Sequence, residues 1–273
     1  MKENFFYILF LSAILIGIFS LVVLFVDIIF DGYKYLTWDF LTNYASRKAD
    51  KSGILAPLAG TLWLIVLTAL FTIPIGVSTA LYLEEFASEN LFNKIIKINV
   101  SNLAGVPSII YGLLGLAFFT YTLSLGKSLL AGALTMTLLV LPIVIIASQE
   151  AIRTVQPSLK DAAYALGATK WEVSKKVILP HSIGGIMSGI ILAMSRAIGE
   201  TAPILIISSI VFITMVPSGP LDRFTILPLQ IYTWASFPND DFRAIASTGI
   251  IVLLFILILM NSFAVYIRFK TQD

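Results

Sequence analysis

Two oppositely charged side chains lie within an otherwise apolar stretch of this sequence. Arg196 stands 13 residues after the start of the segment Ile183–Ile213 and 17 residues before its end, and Glu200 follows four residues later. Residues four apart share one face of a helix. An arginine at the centre of a membrane helix costs about 2.5–3.5 kcal/mol to insert, so an ionisable residue there indicates a functional site or a paired charge.

The pair has two interpretations. It could be a structural ion pair that holds helices together, or an anion site in which Glu200 positions the guanidinium and limits how tightly anions bind. The planar fork of an arginine suits the oxygens of phosphate. The same segment carries small residues every fourth position, which predicts the close approach of a second helix: Gly185, Gly189, Ala193 and Ala197.

A second candidate region is the polar stretch 149–182, which separates two apolar segments. Thr169 with Glu172 fits a capping box, and Ser158 with Asp161 approximates one. Gly167 stands where a first helix would end in a left-handed turn. The stretch therefore predicts two short helices, beginning near residues 158 and 169, with a sharp turn between them.

The first of these helices would carry a small apolar face. Its members recur at the spacing of helical turns: Leu159, Ala162, Ala163 and Leu166. Because so short a helix is unstable alone, the face should pack on the chain's own helices or in the groove of a partner protein. Pro157 marks the start of this helix, and Leu179-Pro180 is predicted to close the second one.

The elements that must position these residues are membrane helices. The chain is 58% hydrophobic and only 12% charged, which predicts an all-α polytopic protein in contact with the lipid bilayer. Six stretches are long enough to span: Phe5–Val26, Ile54–Leu83, Val100–Leu123, Leu129–Ser148, Ile183–Ile213 and Ala244–Ile267.

Composition also restricts the function. The chain has no cysteine and one histidine, His181, so we expect no disulfide, metal site or cofactor. The net charge of +2 gives no basis for a nucleic-acid partner. Six spans put ten basic residues on the side of loop 149–182 and seven on the other, so that loop and both termini are predicted to be cytoplasmic.

The loop resembles a conserved loop of ATP-binding-cassette (ABC) importer permeases. Their pattern is EAA, three residues, Gly, nine residues, Ile, any residue, Leu-Pro. Here it reads Asp161-Ala162-Ala163, three residues, Gly167, nine residues, Val177, Ile178 and Leu179-Pro180. The resemblance implies that Ser158–Leu166 is a coupling helix that sits in a cleft of an ATPase subunit on the cytoplasmic side.

Further segments are similar to the A-type permease of the phosphate-specific transport system. They are Leu81–Ala87 (LYLEEFA), Asn102–Ala117, Leu129–Ser148, Arg196–Leu205 (RAIGETAPIL) and Leu227–Ser236. This resemblance implies phosphate passage at Arg196 and Glu200, and a type I importer (MetI-like) fold in a bacterial inner membrane. It also implies three partners, namely an ABC ATPase dimer, a homologous second permease and an extracytoplasmic phosphate-binding protein.

On this interpretation residues 1–53 are an N-terminal helix with an outer loop, and residues 54–273 are the permease core. The chain would be a transport subunit and no enzyme.

Two alternatives stay open. The chain could belong to an importer of sulfate or molybdate, or it could be a scaffold or sensor that binds an ATPase without transport. An intramembrane enzyme is a third class, but the chain has few catalytic groups for it. Two further expectations concern single segments. Glu84, Glu85 and Glu89 should form a solvated cytoplasmic face, with a second contact to the ATPase as the alternative, and Phe224–Phe237 should lie along the outer interface.

Overall fold

The computed structural model describes residues 2–208 and 213–272, and every regular element among them is helical. The α-helices are α1 Lys2–Gly32, α2 Trp38–Thr42, α3 Leu55–Leu81, α4 Leu91–Ala104, α5 Ser108–Gly115, α6 Leu129–Arg153, α7 Pro157–Ala165, α8 Lys170–Val173, α9 Leu179–Gly199, α10 Ala202–Ser208, α11 Leu227–Ala235 and α12 Asp240–Gln272. Turns of π-helix extend α3 over Tyr82–Phe86 and α5 over Leu116–Thr122, and another, Ser174–Ile178, joins α8 to α9.

Five of the described helices are long and apolar enough to cross a membrane, and a bent pair, α4 with α5, makes a sixth if it counts as one span. The prediction of a continuous third span over Val100–Leu123 is wrong, because the chain turns by 104° between Ala104 and Ser108. Pro107 explains the break, since it cannot donate a backbone hydrogen bond and disfavours helical geometry in the residue before it.

The core of the bundle is α6, which packs between α3 and α9. α3 runs parallel to α6, with Gly76 against Val144, and α9 runs antiparallel to it. A Cβ added to Gly185 would lie 2.7 Å from the Cβ of Ala151, and Gly189 meets Ala147 in the same way one turn later. The predicted close approach through small residues is therefore confirmed.

α12 ends on the same side as α7, whereas α1 ends on the opposite side, next to the start of α12. Residues 6–27 of α1 are exposed. α1 packs on α12, where Thr248 Oγ1 donates to the carbonyl of Gly32 (2.7 Å). Near its other end α12 contacts α9, where Arg268 Nη1 donates to Ser188 Oγ (3.0 Å). We call the side on which α7 lies the α7 end of the bundle, and the opposite side the far end.

The far end is closed by a buried segment, and the expectation that Phe224–Phe237 lies along the interface is wrong. Phe224 and Trp234 are fully buried, and most of α11 is buried with them. Trp234 packs 6.0 Å from Phe40, ring centroid to ring centroid, so the segment 33–53 covers α11 from the outside. Burial of two large aromatic side chains stabilises this position more than contact with the interface would.

Candidate functional site

The predicted charged pair lies where α9 breaks. α9 ends at Gly199, and Glu200 has extended backbone angles (φ −76°, ψ 114°) before α10 begins at Ala202. The expected uninterrupted helix Ile183–Ile213 is therefore wrong, and residues 209–212 lie outside the described part of the chain. Gly199 and Pro203 together are typical helix-stop residues, and this signal could have predicted the break.

Arg196 and Glu200 are paired in the structure. Arg196 Nε donates to Glu200 Oε1 at 3.2 Å. The arginine side chain is 54% exposed, whereas that of Glu200 is 19% exposed. Within residues 2–208 and 213–272, neither terminal nitrogen of Arg196 has a hydrogen-bond acceptor. Glu200 thus fixes one edge of the guanidinium and leaves the other edge able to donate to an anion.

The register between α6 and α9 gives the depth of this pair. Gly185 lies opposite Ala151 and Gly189 opposite Ala147. Continuing the antiparallel register for about two more helical turns brings Arg196 level with the residues around Val140. Since α6 extends over Leu129–Arg153, Arg196 stands near the middle of the bundle.

The second predicted site, α7, begins at Pro157 with Gln156 as its N-cap, and no side chain caps it. The approximate capping box at Ser158 and Asp161 is therefore not formed, because Pro157 already occupies the first helical position, where its missing N–H costs nothing. Ser158, Asp161 and Ala162 are exposed on the helix surface.

The turn between the two short helices is confirmed. Gly167 has a φ of +82°, a left-handed conformation that glycine adopts without strain. The full capping box is also confirmed: the backbone N–H of Glu172 donates to Thr169 Oγ1 (3.3 Å), and that of Thr169 donates to Glu172 Oε2 (3.0 Å).

Pro180 does not close the second helix, contrary to the prediction. Lys170–Gly199 is one helix of 30 residues, and Leu179 and Pro180 lie in the first turn of its α9 part. Proline has no backbone N–H to donate to the preceding turn of a helix. The π-helical turn directly before it, Ser174–Ile178, changes the hydrogen-bond pattern at this point, so that the helix continues. α8 is thus continuous with the helix that carries Arg196.

The apolar face of α7 is mostly uncovered. Leu166 is 90% exposed, and Leu159 is exposed as well. Only Ala163 packs on the core of this chain. An open groove of about 330 Å³ adjoins Leu166 and Gly167. The face was expected to pack either on the chain's own helices or in the groove of a partner protein. In the described structure the chain's own helices leave most of it uncovered.

Of the three glutamates that were expected to be solvated, Glu89 is exposed, but the expectation is wrong for the other two. Glu84 and Glu85, at the end of α3, are only 12% and 9% exposed, and both are ion-paired. Lys97 follows Glu84 on the next helix, but the other partners lie 65 to 75 residues away in the chain. The sequence motif LYLEEFA marks these residues, but motif and spacing alone do not identify such distant partners.

Comparison with known proteins identifies the family. A profile described as "Binding-protein-dependent transport system inner membrane component" matches residues 72–272. The chain belongs to this family. It is therefore a multi-pass protein of the inner membrane and a component of a transport system.

Three relatives show how far the likeness extends. "Probable ABC transporter permease protein YqgI" of Bacillus subtilis is 34% identical over 71% of this chain and 64% of its own length. "Phosphate transport system permease protein PstA 1" of Mycobacterium tuberculosis H37Rv is 34% identical, covering 80% of this chain and 70% of the relative. "Phosphate transport system permease protein PstA" of Haemophilus influenzae is 31% identical, covering 92% and 88%.

Solved structures share the fold. The chain superposes on a bacterial alginate ABC transporter, crystallised with a periplasmic protein that holds an alginate pentasaccharide, with a TM-score of 0.75 at 16% identity, covering 100% of this chain and 96% of the other. An inward-facing MetNI methionine ABC transporter gives a TM-score of 0.64 at 16% identity, covering 81% and 98%. The all-α, type I importer permease fold is confirmed.

Proposed function

We propose that this chain is the permease subunit of an ABC importer that carries inorganic phosphate across the bacterial inner membrane into the cytoplasm. The observation that carries the proposal is the half-exposed guanidinium of Arg196 at the middle of the bundle, fixed on one edge by Glu200. The relatives named as phosphate transport permeases favour phosphate as the anion.

Arg196 and Glu200 have complementary tasks in this proposal. The free N–H groups of Arg196 donate to two phosphate oxygens, an arrangement that matches the planar fork. The negative charge of Glu200 repels the anion, so that binding is weak enough for release, as conduction requires. The break after Gly199 lets Glu200 leave the helix axis and turn back to the arginine.

The exposed face of α7 is the contact for an ATPase. Leu166 and Leu159 supply the apolar anchors, and the groove beside Gly167 receives a complementary side chain of the ATPase. Asp161, Ala162 and Ala163 lie on the same helix. We assign ATP hydrolysis to this separate ATPase dimer, and the α7 end, with both chain termini, to the cytoplasm.

The complete importer contains three other kinds of subunit: the ATPase dimer, a homologous second permease that forms a heterodimer with this chain, and an extracytoplasmic phosphate-binding protein. Residues 54–273 form the permease core in this assembly, and residues 1–53 form a peripheral helix with an outer loop. Because α8 continues into α9, a movement of the α7 region reaches the helix that carries Arg196 directly.

The test is ATP-driven uptake of radiolabelled phosphate by proteoliposomes that contain the complete complex. We expect uptake that unlabelled phosphate abolishes and that an excess of sulfate or molybdate leaves unchanged. Competition by sulfate or molybdate would favour an importer of another oxyanion. ATP hydrolysis without any anion movement would favour a scaffold or sensor and contradict the proposal.

A matched pair of variants tests the ATPase contact. Leu166→Asp puts a charge into the proposed apolar anchor and should reduce the amount of ATPase that co-purifies with the chain. Leu221→Asp, which alters another exposed leucine at the far end, should leave it unchanged. Full recovery of ATPase with Leu166→Asp would contradict the contact.

A further inference from the structure

The end of α3 contacts four helices at the α7 end of the bundle, namely α4, α6, α7 and α8. The π-helical turn Tyr82–Phe86 carries two adjacent glutamates and a phenylalanine, and each of these three side chains makes contacts with a different part of the α7 end. Short π-helical turns inside longer helices are frequent at functional sites. We refer to Glu84, Glu85 and Phe86 as the α3 joint.

Glu84 ties the α3 joint to the transmembrane core. Its carboxylate accepts hydrogen bonds from Gln149 Nε2 (2.7 Å) and from Nε and Nη2 of Arg153 (both 2.9 Å) at the end of α6. Lys97 of α4 lies 3.4 Å away. A carboxylate that is mostly buried and held by three partners resists separation from any one of them, because each lost contact would leave charge without a partner.

Glu85 and Phe86 tie the joint to the other side, where α7 and α8 lie. Lys160 of α7 donates to Glu85 Oε1 at 2.5 Å, and both side chains are largely shielded from solvent. The ring centroids of Phe86 and Trp171 lie 6.4 Å apart, and Lys170 Nζ lies 5.5 Å from the centroid of the Phe86 ring. The Lys176–Glu172 pair of α8, by contrast, is exposed and local to its own helix.

We infer that the α3 joint is the link through which movement of α7 is transmitted to α3, α4 and α6, and that the Lys160–Glu85 ion pair is its decisive contact. Coupling between distant sites passes through contiguous packed and ion-paired groups, and the joint supplies such a group between α7 and the core. α7 and the end of α3 then move as one body. The inference rests on the proposed function, because it assumes that an ATPase drives α7.

The test uses the complete complex and two readouts. Spin labels at Ala165 of α7 and Ile75 of α3, both exposed, report the distance between these helices; the chain itself contributes no native cysteine to the labelling. In the wild type the distance should be the same without nucleotide and with trapped ATP. In K160M and in E85Q it should change between the two states.

The second readout is phosphate uptake per ATP hydrolysed. We expect K160M and E85Q to lower this ratio about ten-fold, a typical size for coupling between sites, while ATP hydrolysis continues. The exchanged pair K160E/E85K should restore most of it, and R243M, which removes an exposed pair within α12 (Arg243 with Asp240), should behave as the wild type. If the single variants do not assemble, the exchanged pair decides: recovery of assembly and ratio supports the joint.

Three results would overturn the inference. They are a wild-type label distance that changes on ATP binding, a normal uptake ratio in both single variants, and an exchanged pair that fails to restore the ratio. A wild-type complex that moves no phosphate at all would instead contradict the proposed function, and the label distances would still show whether the joint is rigid.

Discussion

The two ends of the bundle are held together by different forces. At the α7 end, α3 is joined to its neighbours by charged groups, with Glu84 and Glu85 each paired across helices. At the far end, α3 and α6 are joined by the fully buried ring of Phe224, which lies against Gly132 of α6. The backbone next to it, at Thr225, touches Gly60 of α3.

Among residues 2–208 and 213–272, hydrogen bonds reinforce the far end, and no ion pair joins two helices there. Leu227 N–H donates to Thr61 Oγ1 (2.9 Å), and Ser208 Oγ donates to the carbonyl of Phe224 (2.5 Å). The first two N–H groups of α6, at Leu129 and Leu130, donate to carbonyls of the segment 220–222 at 2.9 and 2.7 Å. This segment therefore caps α6, whose first N–H groups have no partner within the helix.

The contrast indicates that the two ends of the bundle have different mechanical roles. Packing of large rings against glycine backbones is specific in shape and leaves no room for an alternative arrangement. The attraction between two opposite charges falls off gradually with their distance, so an ion pair still joins two helices after a small shift. The α7 end thus suits an element that is moved by a partner, and the far end suits a fixed closure. The following predictions test this contrast.

The largest effect is expected at the far end. Phe224→Ala removes a fully buried ring and should lower the free energy of unfolding by about 3–5 kcal/mol. Thermal unfolding in detergent measures it. Leu221→Ala, in the same segment but exposed, should change stability by less than about 0.5 kcal/mol. Equal effects of the two substitutions would show that the ring is not the closure.

A second substitution tests the close backbone contact on α3. A methyl group at Gly60 would overlap the carbonyl oxygen of Thr225, so Gly60→Ala should cost about 1–3 kcal/mol. Gly17→Ala in α1 is the control, because nothing lies within 4 Å of the added carbon. The same unfolding assay applies, and an unchanged melting temperature for Gly60→Ala would contradict the described packing.

A smaller effect is expected at the α7 end. Glu84→Gln removes the charge that Arg153 and Lys97 share and should cost about 1–2 kcal/mol. Glu150→Gln removes the other, exposed partner of Arg153 and should cost at most about 1 kcal/mol. High salt should weaken the Glu84 contribution and leave that of Phe224 intact. A salt-independent loss would show that Glu84 acts through packing.

The smallest effect concerns pH. Hydrogen bonds from the side chain of Ser218 and from the backbone N–H groups of Ser218 and Gly219 hold the pKa of Asp222 below its usual range. A lowered pKa contributes stability above the unfolded-state pKa of about 3.9, and this contribution is lost as pH falls through the folded-state value.

The measurement for this pH effect compares proteolysis of the segment 213–223 in the wild type and in Asp222→Asn. At neutral pH the variant should be cut faster, because the neutral amide oxygen is a weaker acceptor than the carboxylate. The difference should shrink as the pH falls below about 4. A difference that stays constant with pH would show that the charge of Asp222 does not hold the turn.

Much of the fold was predictable because its determinants are local. Apolar stretches predicted the long helices, Thr169 with Glu172 predicted a helix start, and Gly167 predicted the turn. The small residues on α9 predicted its contact with α6. Each of these signals lies within a few residues of the feature that it determines.

The remaining features depend on partners that are distant in sequence. The burial of Glu84 and Glu85 depends on residues of α6 and α7, and the burial of α11 depends on Phe40 and on the segment 33–53. The helix continues through Pro180 because of a π-helical turn, and no sequence signal in the loop predicts that turn. The sequence alone left open whether Arg196 is free or paired with Glu200; in the structure the two side chains are paired although α9 ends between them.

The central claim is that a phosphate ion passes Arg196. The most direct test is ATP-driven phosphate uptake by the complete complex with Arg196→Gln, compared with Arg47→Gln at an exposed far-end position. Loss of a charged hydrogen-bond donor should reduce uptake about 10- to 100-fold in the first variant, with assembly and ATP hydrolysis retained, and should leave the second unchanged. Wild-type uptake by a fully assembled Arg196→Gln complex would contradict the claim.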